Sequence, residues 1–379
     1  MLMVLFCHVY MIMHDAGKTT QMSQNLQNTI RALSLSMDGF FVLSGFLISG
    51  PLFLELQRTG TLSLRVFFIK RFFRIFPPYY IFLTLQLILI LSFVKLSKDN
   101  SNLEVGLTLL NRIKFDYLYL SNFFPGTLFQ GWSLSLEEQF YISFPLFLLF
   151  VFKKANENQR LISLVILTLI PFFYRLYAFL YILDPTDPKV ELSYLGYIYY
   201  PFQGHYDTII FGIILSYFLF RKKEWMDSLA WNETRNNFIH ATLWIFVILY
   251  NSIFSEREYN FFSMVFRFTF NGICFSAIIF FCLHKGFLTR FFSTGLLVPV
   301  AKLSYVVYII HFFLMGFVVA PIARKEHVEL FDIFQYWVYS LIVIYFVGYL
   351  FHLVAELPFV SLRNKVLEKM SSSQTVVSG

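Results

Sequence analysis

The chain has 379 residues, of which 57% are hydrophobic and 21% aromatic, while only 14% are charged, and it carries a net charge of +7. A soluble domain is about a quarter charged, so this chain lacks the polar surface to coat a globule in water, and a single large soluble core is excluded. Its apolar residues fall in blocks of roughly twenty, the length a helix needs to cross about 30 Å of hydrocarbon. In chain order the blocks lie at 1–13, 34–56, 76–94, 134–152, 161–183, 195–220, 238–254, 262–283, 303–321 and 335–354. The first is too short to cross and lacks the basic n-region and small-residue cleavage site of a signal peptide, so it reads as a helix truncated at its start.

Lys and Arg concentrate after the even-numbered blocks, as in Arg58 to Arg74, Lys153 to Arg160, Arg221 to Lys223 and Arg363 to Lys369. That asymmetry places both termini in the cytoplasm. The expected fold is all-α: a polytopic transmembrane bundle of about ten helices over residues 1–358, followed by a Ser-rich, disordered cytoplasmic tail at 359–379. No internal repeat of the transporter kind is visible.

Polar groups inside apolar spans are costly and become candidates for function. His8 lies near the outer end of the first span, Asp38 a turn into the second, and Glu137 and Glu138 a few residues into the fourth. At 1.5 Å per residue these groups share one level, roughly 6–8 Å below the outer surface. A histidine beside a carboxylate is a general-base arrangement that could deprotonate a hydroxyl; the alternative is a satisfied contact between helices. On the inner side, Arg65, Lys70, Arg71 and Arg74 precede Pro77-Pro78, where the next helix is expected to begin. Arg71 and Arg74 share a helix face and could fork onto phosphate, although a basic amphipathic helix drawn to anionic head groups is the simpler reading.

Other features are weaker. Gly45 and Gly50 allow close helix approach. His205 and Asp207 lie mid-span in the sixth block and His311 in the ninth, where each could line a cavity or bridge helices. Cys7, Cys274 and Cys282 read as small buried hydrophobes. Asn232-Glu-Thr matches a glycosylation pattern but falls on a cytoplasmic loop. No P-loop, dinucleotide fingerprint or HExxH is present, and no metal or nucleic acid is expected.

Several blocks resemble those of the acyltransferase 3 family of membrane proteins, which O-acylate saccharides and other small molecules at bacterial envelopes. MLMVLFCHV resembles the end of the family's first helix, with its histidine at His8. MDGFFVLSGFLIS (37–49), FFIKRFFRIFPPYY (67–80), GWSLSLEEQFYISFP (131–145), LSYVVYIIHF (303–312) and ELP (356–358) follow in family order. The resemblance implies a ten-helix inner-membrane enzyme with His8 as catalytic histidine, supported by Asp38, Glu137 and Glu138. Arg65, Lys70, Arg71 and Arg74 would serve an acyl-CoA donor, acetyl-CoA by default, with Ser44, Asp207, Tyr308 and His311 lining the substrate path. It also implies the bilayer and a carbohydrate or other hydroxyl acceptor as partners, with transfer either direct or through a separate extracytoplasmic transfer protein. Two departures stand out: the family's arginine about eleven residues before the histidine would precede Met1, and its Arg-x-Asp in span six is here His205-Tyr-Asp207. A transporter or flippase using the same polar groups as a permeation path is the rival from another class.

Overall fold

The computed structural model describes residues 1–19, 21–230, 232–255, 259–325 and 327–377, with the backbone alone at Ala323, Arg324 and 371–377. Among these residues the secondary structure is helical, with no strand. The helices are α1 (Leu2–Asp15), α2 (Gln24–Ala32), α3 (Ser36–Thr59), α4 (Leu64–Leu96), α5 (Asn100–Tyr117), α6 (Gly131–Phe147), α7 (Glu157–Tyr181), α8 (Val190–Tyr194), α9 (Phe202–His205) and α10 (Asp207–Arg221). They continue with α11 (Lys223–Leu229), α12 (Glu233–Ile253), α13 (Arg267–Cys282), α14 (Phe287–Phe292), α15 (Val298–Val319), α16 (Leu330–Phe351) and α17 (Leu357–Val377).

Seven continuous helical stretches among the described residues are long and apolar enough to cross a membrane. Their outward faces carry large apolar side chains such as Ile88 and Leu89 of α4, Ile166 and Phe173 of α7, and Ile342 and Phe346 of α16. Exposed apolar faces on this scale need lipid to cover them, and the chain is a multi-pass membrane bundle. The other three expected spans differ: α1 is a shorter apolar helix, α12 opens on the polar run Glu233 to Asn237, and the sixth is broken. That break falls at Tyr200-Pro201, between a wide π-turn at Leu195–Tyr199 and the short α9. Pro201 has no N–H to donate and disfavours helical geometry at the residue before it.

Three further expectations are corrected. Pro77 and Pro78 do not start a helix: α4 runs through them from Leu64 to Leu96, so the basic segment is the first third of a spanning helix. The stretch between the third and fourth spans contains α5, whose alternation of polar and apolar residues gave no block of twenty. The tail expected to be disordered from 359 begins instead as α17, which continues α16 through a π-turn at His352–Glu356. That wide turn accommodates Pro358, and the sequence after it up to Met370 contains neither Gly nor Pro. Residues 378 and 379 lie outside the described residues.

Helices α3 and α10 form the tightest pair. A Cβ on Gly45 would stand 2.1 Å from the Ile209 carbonyl oxygen, and one on Gly212 would stand 1.9 Å from that of Val42. Only glycine lets the two backbones touch, and without a hydrophobic drive between helices in lipid such contact is what joins them. The stripe 38, 42, 45, 49 of α3 therefore faces α10, and the stripe 37, 41, 44, 48 lies about a quarter turn round the helix from it. That division decides where Asp38 goes.

Candidate functional site

Two apolar clusters fill the bundle, one around α1, α4, α15 and α16 and the other around α3, α6 and α10. Where they meet, a cavity of about 370 Å³ lies between α3, α4, α6 and α15. Its polar lining includes Ser44, Arg71, Arg74, Ser133, Glu137, Glu138, Tyr141 and Tyr308. Arg71 and Arg74 lie roughly 10 Å and 15 Å along α4 from its start, which brings them to the depth of the two glutamates. The expected outer acidic layer and inner basic layer are thus one chamber. Arg65 and Lys70, by contrast, are exposed and do not line it.

Inside the chamber, Ser44 Oγ lies 2.9 Å from the Tyr141 hydroxyl, which donates to Glu137 Oε2 at 3.1 Å. The Arg71 guanidinium sits 4.6 Å over the Tyr141 ring, a cation–π contact that fixes the side chain without neutralising it. Neither arginine forms an ion pair among the described residues, and Glu138, only 7% exposed, has no hydrogen-bond partner there. Tyr119 closes one wall with its backbone in the left-handed region at φ 51°, held by Gln139 Nε2 on its carbonyl and by stacking on Tyr79. Left-handed geometry at an aromatic residue is costly and is kept only where surroundings enforce it.

Tyr308 links this chamber to a pair of histidines. Its hydroxyl lies 2.5 Å from Ser133 Oγ, and its carbonyl accepts from His311 Nδ1 at 2.7 Å. One turn beyond the chamber, His311 Nε2 stands 2.9 Å from His8 Nδ1. The two ring planes agree within 6° and their centres are 5.1 Å apart. With the nitrogens at 2.9 Å, those values require the rings to lie edge to edge in nearly one plane, which aligns the N–H with its acceptor. The proton positions follow by elimination. A carbonyl only accepts, so His311 Nδ1 carries the proton; its Nε2 is then the acceptor, His8 Nδ1 donates, and His8 Nε2 keeps a bare lone pair. His311 is fully buried and His8 half-buried, flanked by the edges of Phe129 and Phe312.

The expected carboxylate partner of His8 is therefore replaced by a second, neutral imidazole. Asp38 lies on the α10-facing stripe and is engaged elsewhere. Its Oδ1 meets His205 Nε2 at 2.6 Å and its Oδ2 accepts from Asn271 Nδ2 at 2.6 Å. Glu137 is committed to Tyr141 rather than to His8. Asp207 does not line the chamber either: it is fully buried and grips the Arg175 guanidinium through both oxygens, at 2.9 and 2.8 Å. Arg175 also donates to the carbonyls of Gly204 and Val265. It thus caps the broken sixth span and the π-turn at Phe262–Phe266, where irregular backbone must find partners within the protein. Position 205, where the resemblance has an arginine, holds His205 against Asp38, and the guanidinium on Asp207 comes from Arg175 of α7.

Of the sequence candidates, Ser44, Arg71, Arg74, Glu137, Glu138 and Tyr308 meet in the chamber and His8 meets His311 next to it. Asp38, Asp207, Arg65 and Lys70 stand apart. Tyr141, Ser133 and Tyr119 join the site without having been singled out; Tyr141 and Ser133 lie in the block that marks α6, and Tyr119 carried no signal. Among the described residues no group of three or more His, Cys, Asp or Glu side chains could hold a metal ion.

A family model described as an acyltransferase domain, that of acyltransferase 3 proteins, matches residues 1–357. An uncharacterised protein of Haemophilus influenzae is 36% identical over 153 residues, covering 36% of this chain and 57% of its own length. Peptidoglycan O-acetyltransferase OatA of Listeria monocytogenes is 31% identical over 149 residues, 36% of this chain and 22% of its own. A Staphylococcus aureus protein bearing an O-acetyltransferase name is 28% identical over 182 residues, 43% of this chain and 29% of its own. The chain spans 57% or less of the length of each of these relatives. No solved structure matches it.

Proposed function

Because the chain belongs to the acyltransferase 3 family, we propose that it transfers an acyl group, acetyl by default, from acyl-CoA to a hydroxyl of a saccharide or similar acceptor in the envelope of the cell whose inner membrane it spans. The observation that carries this reading is the coplanar His8–His311 pair, with a bare Nε2 on His8, one helical turn from a chamber holding two guanidinium groups that form no ion pair among the described residues.

In the net reaction the acceptor O–H gives its proton to His8 Nε2 while the oxygen attacks the thioester carbonyl carbon. Collapse of the tetrahedral adduct breaks the C–S bond, and the proton returns to the departing thiolate. One C–O bond replaces one C–S bond, and no charge is left over. As His8 takes up the proton, its Nδ1–H becomes a cationic donor to His311, whose own Nδ1–H leans on the Tyr308 carbonyl. This relay spreads the charge through fixed groups instead of water. Arg74, the more exposed of the two chamber arginines, suits a donor phosphate. Arg71, pinned over Tyr141, holds the electrostatic balance against Glu137 and Glu138, which would otherwise repel an anionic donor.

The test supplies radiolabelled acetyl-CoA to membranes carrying the full chain and reads base-labile label in envelope saccharide, of which peptidoglycan glycan is the first to try. His8→Ala should abolish transfer. Undiminished labelling by a variant present at the normal level would remove His8 from the reaction.

A further inference from the structure

Residue 130 closes the loop that precedes α6 and is only 2% exposed. Its Nε2 lies 2.5 Å from the Ile309 carbonyl oxygen and 3.3 Å from that of Tyr308, the same carbonyl that takes the His311 Nδ1–H. Its Oε1 is buried with no hydrogen-bond partner among the described residues. A buried acceptor left bare costs on the order of 1–3 kcal/mol, so this amide is retained for what its NH₂ group does at α15. Three residues on, Ser133 Oγ donates to the Gln130 carbonyl and accepts from the Tyr308 hydroxyl. The start of α6 and the middle of α15 are therefore fastened twice, at the Tyr308 side chain and at the Tyr308 and Ile309 carbonyls just before His311.

The loop delivering Gln130 is itself anchored. Asp116 accepts from the Thr127 N–H at 2.5 Å, the Thr127 hydroxyl at 2.8 Å and the Ser121 hydroxyl at 2.6 Å. Gly126 packs so close that a Cβ there would stand 2.2 Å from Asp116 Oδ1. An interior helix of apolar side chains has little to fix its rotation about its own axis, and each residue of slip would turn His311 by about 100° away from His8. We propose that Gln130 is a positioning residue for the histidine pair. Through its donor group it locks the rotation of α15 and keeps the Tyr308 carbonyl aimed at His311, which in turn keeps the His8 lone pair free. This rests on the reading of His8 as the base.

The test compares Gln130→Met, which keeps the shape and removes the donor, with Gln130→Glu, which can donate only while protonated. Both are measured beside His8→Ala in the full chain, in nanodiscs, with acetyl-CoA as donor and soluble peptidoglycan glycan fragments as acceptor. Q130M should lower kcat by about tenfold or more while leaving the KM for acetyl-CoA within about twofold, because Gln130 does not line the chamber. Q130E should approach wild-type kcat at low pH and lose ground to it by a similar factor as pH rises, since an ionised carboxylate cannot face two carbonyls. A loop-packing role alone would not give that inverted profile. If Q130M fails to assemble, the profile of Q130E decides the matter. Wild-type kcat and pH profile in both Gln130 variants, with H8A inactive, would overturn the positioning role and leave the base intact. Transfer by H8A would remove the base and this inference with it.

Discussion

Replacing His311 with alanine separates the two imidazoles. His311 does not line the chamber; its side chain meets His8 and the Tyr308 carbonyl. In the ground state the lost bond is neutral, worth about 0.5–1.5 kcal/mol, whereas after proton uptake it is a bond to a charged donor, worth about 1.5–3 kcal/mol. Only the difference slows the reaction. That difference is roughly 1–1.5 kcal/mol, or about tenfold in kcat. Freeing the His8 tautomer adds a few-fold more, because part of the population then presents an N–H where the lone pair is needed. The expected loss for H311A is thus about 10- to 50-fold in kcat, with the KM for acetyl-CoA unmoved, against the 10²- to 10⁴-fold typical of losing a general base outright. His311→Gln should recover part of it, since a carboxamide can accept from His8 and donate to Tyr308. Initial rates of thiol release in nanodiscs, with acceptor present, measure both constants. An H311A enzyme within twofold of wild type, beside an inactive H8A enzyme, would refute the relay.

Arg74→Gln should raise the KM for acetyl-CoA several-fold with little change in kcat, while Arg65→Gln and Lys70→Gln, on exposed side chains outside the chamber, should leave both near wild type; donor titrations of the three variants compare them directly. Asp207→Asn strands a fully buried guanidinium and should cost about 3–5 kcal/mol of stability, seen as a lower melting temperature in detergent, whereas replacing Arg175 and Asp207 together by leucine should restore much of it. A D207N protein as stable as wild type would mean that the pair does not hold the broken span.

The apolar blocks revealed the spanning helices because lipid demands length and apolarity, and both can be read along a line. Depth is legible only in part: Glu137 and Glu138 share a level as expected, but Arg71 and Arg74, expected in a separate inner layer, line the same chamber. What a line of residues does not contain is azimuth. Asp38 and Ser44 sit on one helix, six residues apart, yet Asp38 faces α10 and Ser44 faces the chamber, because Gly45 and Gly212 fix which stripe of α3 meets α10. The carboxylate assigned to His8 failed for this reason. Pro77-Pro78 misled in another way: proline favours the first turn of a helix, but a spanning helix buried among neighbours tolerates it internally. Arg175 stood in an apolar run and could have been suspected. Gln130 could not, since it lies one residue before the recognisable block and acts through a backbone on another helix.

The double proline of α4 leaves a mechanical legacy. Two consecutive residues without an N–H free the carbonyls of Phe73 and Arg74 from the helical ladder, and the next carbonyl, that of Ile75, is taken by the Tyr305 hydroxyl at 2.7 Å. The segment bearing Arg71 and Arg74 therefore continues into the rest of its helix with two of the usual ladder bonds missing at that level. A bend at that level works against fewer ladder bonds than it would meet elsewhere in the helix, since proline is where long helices kink. The bond between the two imidazoles, which joins α1 to α15, lies outside α4 and is not strained directly by such a bend.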